Sequence, residues 1–192
     1  MRRIGVLVSG RGSNLQALLD AESRGELSGQ IVVVISNKSQ AFALERARKV
    51  GVQTILVTKA EFPDREMFDE QVAEILRSYK VDLVVLAGYM RMFTEQFINE
   101  FQGRIINVHP SLLPAFKGVR AQWQAIEYGA KVSGCSTHFV TLDMDAGPII
   151  MQKAVPILSD DTGETLAERI LPEEHRILVK SVRLFCEDKL MQ

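Results

Sequence analysis

The sequence predicts an α/β fold, a mostly parallel twisted sheet with helices on both faces, and three observations carry that expectation. Short apolar runs alternate with amphipathic stretches, the rhythm of βαβ units. The runs are too continuously apolar to leave one sheet face to water. A glycine-bearing loop, Ser9-Gly10-Arg11-Gly12-Ser13-Asn14, follows the first run and opens the first amphipathic stretch.

Each element follows from local pattern. Ile4 to Val8 reads as a strand and Leu15 to Ala21 as the helix after it. Ile31 to Ser36 is a strand, Ala41 to Val50 a helix stopped by Gly51, and Thr54 to Val57 a strand. Asp64 is placed to cap a helix to Tyr79, where Phe68, Val72, Ile75, Leu76 and Tyr79 repeat at helical spacing and make a core stripe. Leu83 to Ala87 and Arg104 to Val108 are internal strands around a helix near Thr94 to Phe101 that Gly103 ends. A helix over Ala121 to Tyr128 precedes strands near Thr137 to Val140 and Ile149 to Val155, expected as antiparallel additions. Asp161-Thr162-Gly163-Glu164 resembles a capping box, and Pro172 predicts a break or kink before a last helix to about Cys186.

Length and composition narrow the function. The 192 residues suit one domain, 1–192, with no repeat or linker to divide it. Hydrophobic residues make up 46% and charged residues 24%, as in proteins that fold compactly in water. No run approaches the roughly 20 apolar residues of a membrane span, and Met1-Arg2-Arg3 leads into a strand too short for a signal segment, so a cytoplasmic protein is expected. A net charge of −1 and a pI near 6.3 argue against nucleic-acid or membrane partners and for a small-molecule substrate. A monomer or weak homodimer is expected. Cys135 and Cys186 lack metal-ligand spacing, which predicts two reduced thiols and no metal site.

Two segments carry chemistry. In the Ser9 to Asn14 loop, glycines let backbone N–H groups approach a ligand at a helix N-terminus, which favours an anion. It is neither a Walker loop nor a full dinucleotide fingerprint, so a single phosphomonoester fits better than ATP or NAD. A tight turn with Ser13 as a cap is the plainer reading. In Asn107-Val108-His109-Pro110-Ser111-Leu112-Leu113-Pro114, strand alternation turns Asn107 and His109 to one side. An amide and an imidazole there can stabilise a developing oxyanion and exchange a proton, if a carboxylate orients the ring. Asp143 and Asp145 in Leu142 to Pro148 are both candidates, and spacing does not choose between them. His138 and His175 lack such a context and are expected to be structural.

The Ser9 to Asn14 loop, Leu86-Ala87-Gly88-Tyr89-Met90-Arg91, Asn107 to Pro114 and Met144 to Pro148 together resemble the phosphoribosylglycinamide formyltransferase family, in order and spacing along nearly the whole chain. The resemblance implies a Rossmann-like formyltransferase fold. It also implies formyl transfer from 10-formyltetrahydrofolate, a co-substrate, to the amine of 5′-phosphoribosylglycinamide in purine biosynthesis, with no metal. On that resemblance Asn107 and protonated His109 are the oxyanion partners, and Asp145 stabilises the imidazolium and helps relay the amine proton through water. Gly12, Ser13 and Asn14 would hold the phosphate, Glu174 the ribose or phosphate end, and Gly88 with Pro110 the glycinamide arm. For the folate, the matching positions are Met90, Arg91, Met92 and Phe93 with Val140, Thr141, Asp143 and Asn107, whose backbone reads the pterin edge, and Arg65 near the glutamate tail.

The sequence departs from the family in places. Lys117-Gly118-Val119-Arg120 stands where Pro-Gly-x-His is usual, Leu171 where some relatives have a polar phosphate contact, and Leu178-Val179 where Tyr-Pro is usual. Phe116-Lys117-Gly118 is nearer the formyltetrahydrofolate hydrolases, which differ at Pro110 and Leu112 and carry an added N-terminal regulatory domain. Hydrolysis of the formyl donor is therefore the enzymatic alternative. A tRNA formyltransferase would need a basic C-terminal domain, and a non-catalytic phosphosugar or folate-binding module would not need Asn107, His109 and a carboxylate together.

Overall fold

A computed structural model describes residues 1–190. Seven strands form one sheet: β1 (Arg2–Val8), β2 (Gly29–Ser36), β3 (Gln53–Leu56), β4 (Leu83–Leu86), β5 (Ile105–His109), β6 (Val132–Phe139) and β7 (Ile149–Pro156). Six helices accompany them: α1 (Ser13–Ser23), α2 (Phe42–Lys49), α3 (Arg65–Ser78), α4 (Glu95–Glu100), α5 (Ala121–Tyr128) and α6 (Gly163–Cys186). The strand order is β3-β2-β1-β4-β5-β6-β7; β1 to β5 are parallel, and β6 and β7 add antiparallel to the β5 side.

Period-two alternation within the strands feeds two cores. Ile4, Val6 and Val8 of β1 turn to the layer containing Leu15, Leu18 and Leu19 of α1, Leu44 of α2, and Leu178 and Val182 of α6. Leu7 of the same strand turns to the opposite layer, with Phe68, Val72 and Leu76 of α3 and Phe97 of α4. A mostly parallel sheet covered on both faces is the arrangement that near-continuous apolar strands require. Asp64 caps α3 by accepting from the Met67 amide at 2.8 Å, as its sequence context predicts.

The expected break at Pro172 does not occur. α6 runs unbroken from Gly163 to Cys186 with Pro172 inside it. The ring sits on the exposed face, as does Glu168, so the Glu168 carbonyl that loses its helical donor has water available. The start of α6 is also capped differently from the expectation, by reciprocal bonds between Thr162 and Thr165 rather than by Glu164. β6 begins five residues earlier than its apolar pattern suggests, because its first half, Val132 to Ser136, is built of small and polar residues. Ser133, Cys135 and Ser136 are nonetheless buried. Leu178, a family departure, is fully buried in the core, and neither cysteine is paired.

Candidate active site

The strand order reverses beside β1: the chain moves outward through β2 and β3, then returns to place β4 on the other flank of β1. In open α/β sheets, a crevice forms at the carboxyl ends of strands flanking such a reversal. The loops after β1, β4 and β5 converge there, and they contain the glycine loop, Gly88 to Phe93, and His109 onward.

Gly12 starts α1 with φ +75, where a side chain is strained, and an added Cβ would stand 2.7 Å from the Ala43 Cα. Backbone therefore packs on backbone, and the first turn of α1 has no side-chain cap, leaving its N–H groups open to an anion. Ser9 joins this loop to the next: its hydroxyl donates to Asn37 Oδ1 at 2.6 Å and accepts from the Met90 amide at 2.9 Å. Asn14 turns inward and its Nδ2 donates to Glu174 Oε2 at 3.2 Å. Glu174 is buried on α6, and burial pushes its carboxyl up to about 6 despite the Asn14 bond. Gly88 has φ +76 and nothing near where a Cβ would lie, so its backbone faces open space.

Asn107 and His109 share a face of β5, and the antiparallel register sets His138 opposite Asn107 and Ser136 opposite His109. The β6–β7 turn folds back so that Asp145 Oδ2 lies 3.4 Å from His109 Nδ1. Asp145 holds a positive φ of 49, and Gly147 two residues on packs so closely that a Cβ would lie 1.8 Å from the Phe139 carbonyl oxygen. Geometry thus chooses between the two aspartates, since Asp143 sits exposed on the turn. The Gly118 amide donates to Asp145 Oδ2 at 2.8 Å, and His109 Nε2 lies 2.9 Å from the Phe116 carbonyl oxygen. Each ring nitrogen of His109 thus faces an oxygen, Nε2 the Phe116 carbonyl and Nδ1 the Asp145 carboxylate. Ser136 donates to the Ser111 carbonyl at 2.7 Å and accepts from the Leu113 amide at 3.0 Å, fixing the chain after His109 and Pro110.

His138, read from sequence as structural, belongs to this cluster. Its Nδ1 faces the Phe139 carbonyl at 3.0 Å and must donate, which leaves Nε2 to accept from Asn107 Nδ2 at 3.2 Å. Burial pushes its pKa down, in keeping with a neutral ring. The 3.7 Å approach of Nε2 to Asp145 Oδ1 is therefore no ion pair. His138 fixes the Asn107 amide so that its other N–H points away. The β5–β6 register could have revealed this partner, but a single strand's pattern could not.

The remaining positions divide by depth. Met90 and Met92 are exposed, as are Thr141, Leu142, Asp143 and Met144, while Val140 is half-buried and bonds its amide to the Ile105 carbonyl at 2.9 Å. Phe93 is buried and stacks on Phe97 with ring centroids 4.1 Å apart, so only its backbone can meet a ligand. Arg91 turns back, its guanidinium 3.8 Å from the Phe68 ring centroid. Arg65 is exposed and bonds the Phe93 carbonyl. A recess lined by Arg3, Glu22, Gln30, Val52 and Tyr79 lies at the amino ends of the strands, away from all these groups.

Residues 2–182 match the sequence profile of the formyl transferase family. The chain belongs to that family. It is 40% identical over 185 residues to the phosphoribosylglycinamide formyltransferase of Escherichia coli strain K12, covering 96% of this chain and 87% of that one. It is 43% identical over 182 residues to the trifunctional purine biosynthetic protein adenosine-3 of Bos taurus, spanning 95% of this chain but only 18% of that much longer protein. The crystal structure of glycinamide ribonucleotide transformylase 1 from Symbiobacterium toebii superposes with a TM-score of 0.98 at 53% identity, covering 100% of this chain and 91% of that one. Among the described residues, no helix of this formyl transferase is long and apolar enough to cross a membrane.

Proposed function

We propose that the protein transfers the formyl group of 10-formyltetrahydrofolate to the amine of 5′-phosphoribosylglycinamide, giving formylglycinamide ribonucleotide and tetrahydrofolate in de novo purine biosynthesis. The observation that supports this most is the meeting of Asn107, His109 and Asp145 on one face of β5. It occurs in a family member 40% identical to a named phosphoribosylglycinamide formyltransferase across most of both chains.

The residues present suit both substrates. The uncapped first turn at Gly12, Ser13 and Asn14 takes the phosphate, with Glu174 behind Asn14 near the ribose end, and Gly88 and Pro110 border the glycinamide arm. For the formyl donor, exposed Met90, Met92 and Met144 offer apolar surface to a flat heterocycle. On this reading the backbones of Arg91, Phe93, Val140, Thr141 and Asp143 meet the edge of the heterocycle, and exposed Arg65 meets the acidic tail. When bound, the donor supplies the carbon that the glycinamide amine attacks.

Asn107 Nδ2 and His109 Nε2 direct N–H groups to the oxygen on which charge grows during that attack. His138 keeps the Asn107 amide oriented, and the His109 Nε2–H, held by the Phe116 carbonyl at 2.9 Å, reaches the substrate oxygen once that carbonyl moves aside. Asp145 faces Nδ1 of the ring and, with water, accepts the proton that the amine loses; the formyl C–N bond of the donor then breaks, and that proton passes to the nitrogen of the departing tetrahydrofolate. This reading takes residues 1–192 as one formyltransferase unit, cytoplasmic, a monomer or weak homodimer, without nucleic-acid or membrane partners and without metal.

Tetrahydrofolate release from 10-formyltetrahydrofolate, measured with and without 5′-phosphoribosylglycinamide while the nucleotide product is assayed, tests it. Release only with the ribonucleotide, accompanied by formylated product, is expected. Release without the ribonucleotide would replace the transferase with a hydrolase, and no release in either case would leave a binding protein.

A further inference from the structure

The segment Gly88 to Phe93 belongs to no helix or strand, and it leaves Met90 and Met92 exposed. Its side chains alternate: Met90 and Met92 turn outward, while Tyr89 and Phe93 are buried and Arg91 turns back onto Phe68. What holds the segment from behind is the beginning of α3. Arg65 donates to the Phe93 carbonyl, Phe68 carries the Arg91 guanidinium, and Asp69 Oδ2 accepts from the Thr94 amide at 2.6 Å. Thr94 in turn caps α4, accepting from the Phe97 amide at 3.4 Å.

Asp69 is 1% exposed, an unusual place for a carboxylate without a full set of partners. Burial raises its carboxyl above the ordinary range, and the Thr94 bond and the nearby Arg65 and Arg91 charges pull it back down. Three buried polar atoms in this group, Asp69 Oδ1, Tyr89 Oη and Arg91 Nε, have no hydrogen-bond partner among the described residues. Such a group costs stability unless its position serves something, because a buried polar atom left unpaired is penalised. None of these atoms belongs to the Asn107, His109 and Asp145 cluster.

We infer that Asp69 is a positioning residue for the formyl donor: through its bond to the Thr94 amide it sets the depth and tilt of the 88–93 segment, and hence the surface that the donor's heterocycle meets. This rests on the donor lying against that segment, as proposed above. Donor affinity is then controlled from the buried side of the segment, by a residue that touches neither substrate.

Asp69→Ala and Asp69→Asn would be compared with the unaltered chain in steady-state kinetics with each substrate varied, and in amide hydrogen exchange over residues 88–94. Asn retains an acceptor for the Thr94 amide but not the charge. In Asp69→Ala the KM for 10-formyltetrahydrofolate should rise at least about tenfold, the loss expected for a charge-assisted hydrogen bond, with the ribonucleotide KM within about twofold. Asp69→Asn should recover part of that loss, and Thr94 exchange should quicken in the order unaltered, Asn, Ala. An unchanged donor KM with faster exchange would show the anchor to be real but unconnected with the donor, and would overturn the inference. So would an equal rise in both KM values, or unchanged exchange. Should Ala not fold, a donor KM in Asp69→Asn equal to that of the unaltered chain would overturn it too. Failure of the functional reading itself would appear separately, as no ribonucleotide-dependent turnover in the unaltered chain.

Discussion

Asp145 and His109 illustrate how one residue's position depends on others that do no chemistry. Asp145 sits at a positive φ because Gly147 lets the turn pack against the Phe139 carbonyl, and the Gly118 amide holds its carboxylate. His109→Ala and Asp145→Asn should each lower turnover by at least about 100-fold while largely sparing ribonucleotide binding, as loss of donors aimed at developing charge does. Pre-steady-state formyl transfer beside equilibrium titration of the ribonucleotide would measure both; unchanged turnover in both variants would remove them from the chemistry. Glu174 gives a second expectation at this scale. Its folded carboxyl titrates near 6, above the ordinary 4.5. Stability from this group is therefore fully present below about pH 4.5 and is lost as pH rises through about 6. Glu174→Gln should be more stable than the unaltered chain by about 2 kcal/mol at pH 8, with the gap closing towards pH 4.5 in denaturant titrations. Asn107 and His109 were legible in the sequence because period two needs only one strand. His138 was not, because its role depends on which residue a distant strand sets opposite Asn107.

At the scale of elements, the apolar runs and helical stripes marked β1 to β5 and α1 to α5 to within a residue or two at most ends. The exceptions share a cause, which is that tertiary contacts decided them. The first half of β6 carries little apolar signal, yet Ser133, Cys135 and Ser136 there are buried; Ser136 finds partners in distant segments, while Ser133 Oγ has none among the described residues. Ser136 bonds the chain after His109, and Thr137 Oγ1 lies 2.7 Å from Ser181 Oγ on α6. Pro172 leaves α6 intact because the lost bond falls on the wet face, while Ile170, Leu178 and Val182 hold the helix down. Pro172→Ala should restore that bond and stabilise the chain by about 1 kcal/mol or more, less than the full helix penalty because proline also restricts the unfolded chain. Chemical denaturation would show it as a higher midpoint at unchanged slope; no gain would mean that the helix is already distorted around position 172.

For the molecule as a whole, the order of the sheet separates the work of the two substrates. On the proposed function, the phosphate end falls to the β1–α1 loop and to Glu174 of α6, with Asn14 and Glu174 both buried. The side proposed for the donor is a surface of loops, and its apolar character comes from Met90, Met92 and Met144, which are 72%, 47% and 49% exposed. Thioethers so open to solvent are oxidisable to sulfoxides, which turn apolar contact surface into polar, hydrogen-bonding surface. Mild peroxide should therefore raise the KM for 10-formyltetrahydrofolate while leaving that for the ribonucleotide near its starting value, and methionine sulfoxide reductases should reverse the change. Of the two reactants, only the one-carbon donor would then be recognised through a surface that records oxidative history.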